Sequence, residues 1–519
     1  MRPWFVIQQL GLLLLLLSAA MIPTAALSVY DFTCAHQPGE EDALAAFLVA
    51  ALVGLLTGVL LYWQGRRHAT QLGRKEALLL VALAWVVGAA LAALPFRLWA
   101  AFHVFVPGED TAFKSFVNCY FEAMSGLTTT GASVLTNIES IPRSLLFWRA
   151  FTHWLGGLGI VVLFVAVLPI LGVGGKRLFR FEAPGPKKEG VRPRIRAAAQ
   201  VLWLIYLGIT VAEVIALHLA GLGWIDALSH AFATLATGGF STQNTSIAGF
   251  GSWKVELVII VFMFMAGVNF SLYDRLLAGR WREVLKNPEL RAYAAIMAAA
   301  AVTVSLLIVG QKILTVEQTI HEGFWATIRH AVFTTVSIQT TTGFCTADFN
   351  QWVFPAKAIL VGLMFVGGCG GSTGGGIKVI RFVILAKVLW VELETVFRPN
   401  VVRTVRVGSS TVDTQLRSAT LVYFCLIGIV VIVSTTAVLW LETPRKIEDL
   451  QGDPAATAFT AVVATLNNIG PGLDLIGASS NYAWLRSPTK VLLCLCMVLG
   501  RLELYAFLVL IMPRYWREE

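Results

Sequence analysis

Charge is what this chain lacks. Of its 519 residues only 14% are Asp, Glu, Lys or Arg, while 57% are hydrophobic. A soluble protein of this length does not need so much apolar surface, and the balance excludes an ordinary globular enzyme. Thiol and metal signatures are missing too. The seven cysteines (34, 119, 345, 369, 425, 494 and 496) form no CxxC pair and no metal-ligand spacing. Cys34, Cys119 and Cys345 fall at or near the expected outer face, where a disulfide is open but unspecified. There is no HExxH and no His/Glu cluster, which removes the usual basis for a membrane-embedded hydrolase. No dense basic stretch is interleaved with aromatics, so the net charge of +9 does not indicate nucleic acid.

What is present is a series of long apolar runs. A span needs about 20 such residues to cross about 30 Å of hydrocarbon. Ten candidates occur, near 5–30, 43–63, 77–102, 147–172, 197–221, 255–273, 291–311, 355–385, 418–441 and 489–512. Every second connection is basic. Segment 64–76 has Arg66, Arg67, Arg74 and Lys75, and 173–196 has eight Lys or Arg, including Lys187, Lys188 and Arg192. Arg275, Arg280, Arg282, Lys286 and Arg291 lie in 274–291; Lys387, Arg398, Arg403, Arg406 and Arg417 lie in 386–417. Segment 31–42 carries Asp31, Glu40, Glu41 and Asp42 with no Lys or Arg. The positive-inside rule then places both termini and the basic connections in the cytoplasm. The first 28 residues fit two readings, a retained span or a leader with Arg2, a leucine core and small residues near Ala25–Ala26.

Between pairs of spans lie four related stretches: SFVNCYFEAMSGLTTTGAS, IDALSHAFATLATGGFST, IRHAVFTTVSIQTTTGFCT and PAATAFTAVVATLNNIGPGL. Each reads as a helix too short to span, then a small polar tip, then a return to the outside. The tips are Thr129-Thr130-Gly131, Thr237-Gly238-Gly239, Thr341-Thr342-Gly343 and Asn468-Ile469-Gly470. The unit is span, half-helix, tip, span. Its four copies occupy 75–172, 196–279, 289–386 and 417–512, behind two extra helices in 1–64. Two spans per copy keep all copies in one orientation, so they can surround an axis normal to the membrane. The fold class expected is an all-α membrane protein with four parallel membrane–pore–membrane repeats around one pore.

Non-helical backbone at membrane depth must line water or be buried in protein. A glycine at the tip can adopt positive φ and turn successive carbonyls toward an axis, where they replace an ion's hydration shell. Threonine hydroxyls can add oxygens or brace the half-helix. No tip carries a charged residue, and neutral oxygens suit a monovalent cation.

A second feature lies in span 355–385. Within 367–376, Gly367, Gly368, Gly370, Gly371, Gly374, Gly375 and Gly376 surround Cys369, Ser372 and Thr373. Glycine costs about 1 kcal/mol against alanine in a helix, so this span should break in mid-membrane. The break can block a pore and move aside, or serve as a close helix-packing surface. A P-loop is excluded, because Ile377 separates Gly376 from Lys378. Arg501 sits mid-span at a cost of about 2.5–3.5 kcal/mol. Two readings are open: it faces a water-filled pathway, or it pairs with Glu503 of a neighbouring copy or with another helix. Glu122 suggests a brace, with contact to external cations as the alternative; Asn269 suggests a cap or interhelical bond; His153 suggests a hydrogen-bonded packing residue rather than a ligand. Asp348 and Asp474, just outside two tips, suggest solvated loop carboxylates, with concentration of cations at the mouth as the alternative.

With FEAMSGLTTTGAS, FWRAFTHWLGGLGIVVLFVAVLP, ATGGFST, TTTGF, GGSTGGGIKVIR and NNIGPGL together, the sequence resembles the Trk/Ktr/HKT superfamily of potassium transporters, most closely its TrkH branch. The resemblance covers about 75–512, and the two N-terminal spans resemble that branch as well. It implies that Gly131, Gly239, Gly343 and Gly470 are filter glycines, with 367–376 and Arg501 as an intramembrane gate. Gly131 stands where some sodium-favouring plant relatives have serine, which points to potassium. The resemblance further implies potassium as the transported substrate with no organic cofactor, a bacterial inner-membrane location, a homodimer, and a TrkA-like cytoplasmic nucleotide-binding partner. A sodium-permeable pore, or potassium symport with sodium or a proton, is the alternative on the same fold.

Overall fold

Helices account for most of the computed structural model, which describes residues 3–66, 73–105, 111–166, 191–399, 403–408, 410–442, 444–502 and 504–516. Arg2, Arg67, Lys187, Lys188 and Glu503, invoked above, lie outside the described residues.

α1 (Pro3–Thr33) and α2 (Glu40–Arg66) form an antiparallel hairpin against α3 (Arg74–Phe102). Gly54 lets it close, since a Cβ there would meet Ser18 and Leu91. Buried Leu14, Leu17 and Met21 join this hairpin to the main core. Then come α4 (Phe116–Leu127), α5 (Arg143–Ala166), α6 (Val191–Leu219), α7 (Trp224–Leu235), α8 (Trp253–Ala266), α9 (Phe270–Leu277), the short α10 (Trp281–Leu285), α11 (Pro288–Ile308) and α12 (Phe324–Gln339). The remainder are α13 (Phe354–Phe365), α14 (Val379–Phe397), α15 (Thr414–Glu442), α16 (Pro444–Asp449), α17 (Pro454–Leu466), α18 (Ser487–Arg501), α19 (Tyr505–Ile511) and α20 (Pro513–Trp516). Two small hairpins pair β1 (Ile313–Leu314) with β2 (Ile320–His321) and β3 (Arg406–Val407) with β4 (Ser410–Thr411).

Among the described residues, six helices are long and apolar enough to cross a membrane, or seven when the bent pair α8–α9 counts as one. A multi-pass membrane protein follows. Each of the ten expected runs overlaps a helix; one break is expected, and the described residues have three. The expected break separates α13 from α14. A second turns the chain by 96° between Trp253–Ala266 and Phe270–Leu277, where Gly267 packs against Tyr293 and Asn269 starts the new helix. A third separates α18 from α19, with Leu504 at φ 57°. An isolated glycine or asparagine within an apolar run carries too weak a signal to mark such a break.

The half-helices α4, α7, α12 and α17 have 12, 12, 16 and 13 residues. At 1.5 Å per residue they reach about 18–24 Å, short of a full crossing. Their C-terminal halves are buried on all sides, as in Cys119–Leu127 apart from Tyr120, and in Ala458–Leu466 apart from Phe459. The four ends converge in the interior.

Candidate functional site at the convergence of four half-helices

The four half-helices terminate in the same way. Thr129, Thr237, Thr341 and Asn468 have φ of 53°, 55°, 60° and 54°. Their N–H groups bond back three residues, to Gly126, Thr234, Ile338 and Thr465. The next N–H bonds back five residues: Thr130 to Ser125 at 2.8 Å, Gly238 to Ala233 at 2.7 Å, Thr342 to Ser337 at 2.9 Å and Ile469 to Ala464 at 2.9 Å. This is the Schellman C-cap, which normally places glycine at the left-handed position. A β-branched residue there is a costly exception, yet it recurs in three of the four copies. Two residues further on, Gly131, Gly239, Gly343 and Gly470 again have positive φ, at 81°, 80°, 81° and 94°.

The tips also meet one another. A Cβ on Gly131 would collide with the carbonyl oxygen of Gly238. On Gly239 it would collide with that of Thr342, and on Gly343 with that of Ile469. On Gly470 it would lie 2.8 Å from that of Thr130. Each glycine therefore abuts the carbonyl that precedes the glycine of the next copy, and the sequence of contacts closes on itself. All twelve tip residues expected from the sequence are brought together in this way. The macrodipoles of the four half-helices, negative at their C-termini, converge on the same place and favour a cation there.

Side chains stiffen the ring. Thr128 and Thr130 hydroxyls lie 2.8 Å apart, as do those of Thr340 and Thr342. Asn468 Nδ2 donates to Thr130 Oγ1 at 2.9 Å, joining the last copy to the first. Tyr482 OH donates to the Gly470 carbonyl at 2.7 Å. Behind the first tip, Glu122 accepts from Ser133 Oγ at 2.9 Å, Val134 N–H at 2.9 Å and Arg149 Nε at 2.8 Å. Glu122 is thus a brace, as expected. Arg149 also stacks on Phe240, 4.1 Å from its centroid. In the second copy His230 Nε2 bonds Ser241 Oγ at 2.9 Å, and in the third His330 Nδ1 bonds Thr346 Oγ1 at 3.0 Å.

On the side of the returning strands, the four glycines open into a cavity of about 100 Å³ lined by Ser133, Arg149, Ser241 and Tyr482 among others. Its one charged lining residue among those described, Arg149, is ion-paired to Glu122. Asp348 is not the solvated carboxylate expected, and Asp474, half-buried, is tied into hydrogen bonds. Asp348 is 5% exposed and caps Asn350 N–H. Asp474 accepts from Asp453 N–H at 2.6 Å and Thr457 Oγ1 at 2.5 Å. Both fasten outer loops, a role that spacing alone does not reveal.

On the opposite side lies the glycine loop between α13 and α14. Its two ends meet: Gly367 N–H donates to Ile377 O at 3.0 Å, and Ile377 N–H to Phe365 O at 3.1 Å. Gly371 and Gly376 take φ of 72° and 64°. The loop touches the ends of three half-helices. Gly375 N–H donates to Thr341 Oγ1 at 2.7 Å, and Thr373 Oγ1 to Leu235 O at 2.8 Å. A Cβ on Gly375 would collide with Asn467 O. Ser372 Oγ donates to Cys369 O at 2.6 Å, inside the loop. Gly368 packs on Gly267, and a Cβ on Gly374 would lie 3.3 Å from Thr340 O.

Arg501 meets this loop. It is 3% exposed, and it donates to Thr373 O at 2.8 Å and to Gly156 O at 3.3 Å. Gly156 in turn packs against Leu127, the last residue of the first half-helix. Arg501 and the loop together therefore lie beneath all four tips. Asn269 caps α9 through Ser271 N–H at 2.8 Å, and it abuts Gly371. His153 stacks on Phe240 with centroids 4.2 Å apart. Arg149 and Tyr482 were not foreseen. The rule that singled out Arg501, a cation inside an apolar run, would also have found Arg149.

The family model described as TrkH, cation transport protein, matches residues 45–518. Over 511 residues the chain is 37% identical to the Trk system potassium uptake protein TrkH of Salmonella typhimurium, covering 98% of each. It is 29% identical over 512 residues to the Trk system potassium uptake protein TrkG of Escherichia coli, covering 98% of this chain and 97% of the relative. The crystal structure of the potassium transporter TrkH from Vibrio parahaemolyticus matches all of both chains, with a TM-score of 0.84 and 33% identity.

Proposed function

Since the chain belongs to the TrkH family of cation transport proteins, we propose that it is the ion-translocating subunit of a potassium uptake system in a bacterial inner membrane, with both termini cytoplasmic. The family is one of transporters, so the expectation of transport rather than enzymatic chemistry holds.

One observation supports the filter reading above the others: the closed cycle of contacts from Gly131 to Gly238, Gly239 to Thr342, Gly343 to Ile469 and Gly470 to Thr130. Four neutral carbonyls on a ring can replace part of the hydration shell of a potassium ion. The half-helix dipoles offset the cost of holding the ion below the ring. In this reading an ion enters from the cavity beside Tyr482, sheds water at the ring and stops at the glycine loop. Arg501 holds that loop across the pathway and adds a positive barrier. Inward flow is driven by the membrane potential, at about 2.3 kcal/mol per charge per 100 mV. Opening requires the loop to leave Thr341, Leu235 and Arg501. A cytoplasmic nucleotide-binding partner acting on the basic connections, and pairing of two pore chains, complete the proposal. Sodium permeation and sodium- or proton-coupled symport are the competing transport modes.

The test is potassium rescue. Expression in a bacterium without its own uptake systems should restore growth at low potassium. Failure of the correctly inserted chain, supplied with its cognate partner, to restore growth or to take up rubidium would refute the reading.

A further inference from the structure

Among the described residues three charged side chains bond the glycine loop: Arg501, which the sequence singled out, Lys378, and Glu289, the second residue of α11. Its Oε1 accepts from Gly370 N–H at 2.7 Å and from Ile380 N–H at 3.3 Å. Gly370 lies within the loop, and Ile380 is the second residue of the helix that resumes the span. One oxygen thus clasps the loop to the helix that follows it. Arg501 grips the Thr373 carbonyl three residues further along. The two ions hold opposite groups of the same short segment. Lys378 Nζ donates to Gly374 O, inside the same loop.

Glu289 is itself firmly placed. Asn287 Oδ1 accepts from the N–H groups of Glu289 and Leu290, both at 3.0 Å, and Pro288 occupies the first turn. The β3–β4 hairpin is seated on this start, since a Cβ on Gly408 would lie 3.4 Å from Pro288 Cγ. Val405, Val407 and Val412 beside the hairpin pack with Ile380, Ile384 and Val388 of α14. The start of α11, the hairpin and the start of α14 therefore form one packed unit, and Glu289 links that unit to the loop. Displacing the unit displaces the carboxylate.

We propose that Glu289 is a positioning residue that latches the glycine loop across the pathway and transmits motion of the α11–hairpin–α14 unit to it. The proposal rests on the reading of 367–376 as the gate. A loop with so many glycines has little conformational preference of its own, so its position depends on such anchors. One carboxylate oxygen that joins a donor in the loop to a donor in the helix after it is a principal anchor.

The experiment uses the full chain in liposomes without a partner, with rubidium-86 influx as the readout. Glu289→Gln, which keeps the size and weakens the acceptor shared by Gly370 and Ile380, should raise influx by about tenfold. The rubidium-over-sodium ratio should not change, because the ring is untouched; a merely destabilised protein would alter both. A chain with 370–376 shortened, and Arg501→Ala beside it, report on the gate itself. If those raise influx and Glu289→Gln does not, the latch is refuted and the gate stands. If none raises influx, the gate reading fails and the latch with it. Cys369, buried in the loop, supplies a second readout. Its alkylation by a membrane-permeant maleimide, counted against Cys369→Ser, should quicken in Glu289→Gln. An unchanged rate would overturn the proposal.

Discussion

Replacing Gly131 by serine tests the ring where its geometry is tightest. The residue sits at φ 81°, which costs a side chain about 1–2 kcal/mol. The new Cβ would also fall inside the van der Waals radius of the Gly238 oxygen. To restore ordinary contact that carbonyl must recede by about 1 Å, and it is one of the four oxygens that would face the ion in the proposed filter. Losing about 1.4 kcal/mol of preference corresponds to a tenfold fall in the potassium-over-sodium permeability ratio. Bi-ionic potentials, or rubidium uptake competed by sodium, measure that ratio directly. The effect should be graded: serine at Gly343 or Gly239 should act at least as strongly, because the collision there is closer still. Serine at Gly470 should act less strongly, since its Cβ has 2.8 Å to Thr130 O. Gly208, with nothing within 4 Å, is the control and should tolerate serine with the ratio unchanged. If Gly131→Ser folds and leaves the ratio where it was, the ring does not select the ion.

Three further outcomes are expected. Arg149→Met should strand the buried Glu122 carboxylate and destabilise the protein by about 3–5 kcal/mol; the double variant Arg149→Met, Glu122→Gln should recover much of the loss in thermal unfolding of the detergent-solubilised protein. His330, in a half-helix that does not span, is held down to about 3 by burial, then by Arg329 and His321, against an ordinary 6.5. Between those values the unfolded chain binds a proton that the folded chain refuses, so stability should fall as pH drops from about 6.5, and His330→Gln should flatten that fall in a melting-temperature series. Arg501→Ala should raise partner-free rubidium influx in liposomes by about tenfold, by removing both a charge barrier and an anchor of the loop; unchanged influx would place the gate elsewhere.

Much of this arrangement was legible in the sequence, because the four tips repeat and repetition is independent of tertiary detail. The repeating Thr-x-Gly and Asn-x-Gly patterns marked where each half-helix ends, and the structure gives each of them the same C-cap. The glycine content of 367–376 likewise marked a break. What stayed hidden depends on contacts between distant segments. Glu289 follows Asn287 and Pro288 and reads as an ordinary acidic first-turn residue, so nothing local ties it to Gly370. Asp348 and Asp474 read as loop carboxylates until the loops they fasten are brought together. The break before Leu504 has no composition signal, since the residues around it are good helix formers.

The central claim is that the carbonyls of Thr130, Gly238, Thr342 and Ile469 surround one ion. Anomalous diffraction from crystals of the protein grown in rubidium or thallium tests it most directly. The account requires a peak on the common axis of these four residues, lost when the crystals are exchanged into sodium. A ring without a peak, or peaks confined to other parts of the molecule, would contradict it.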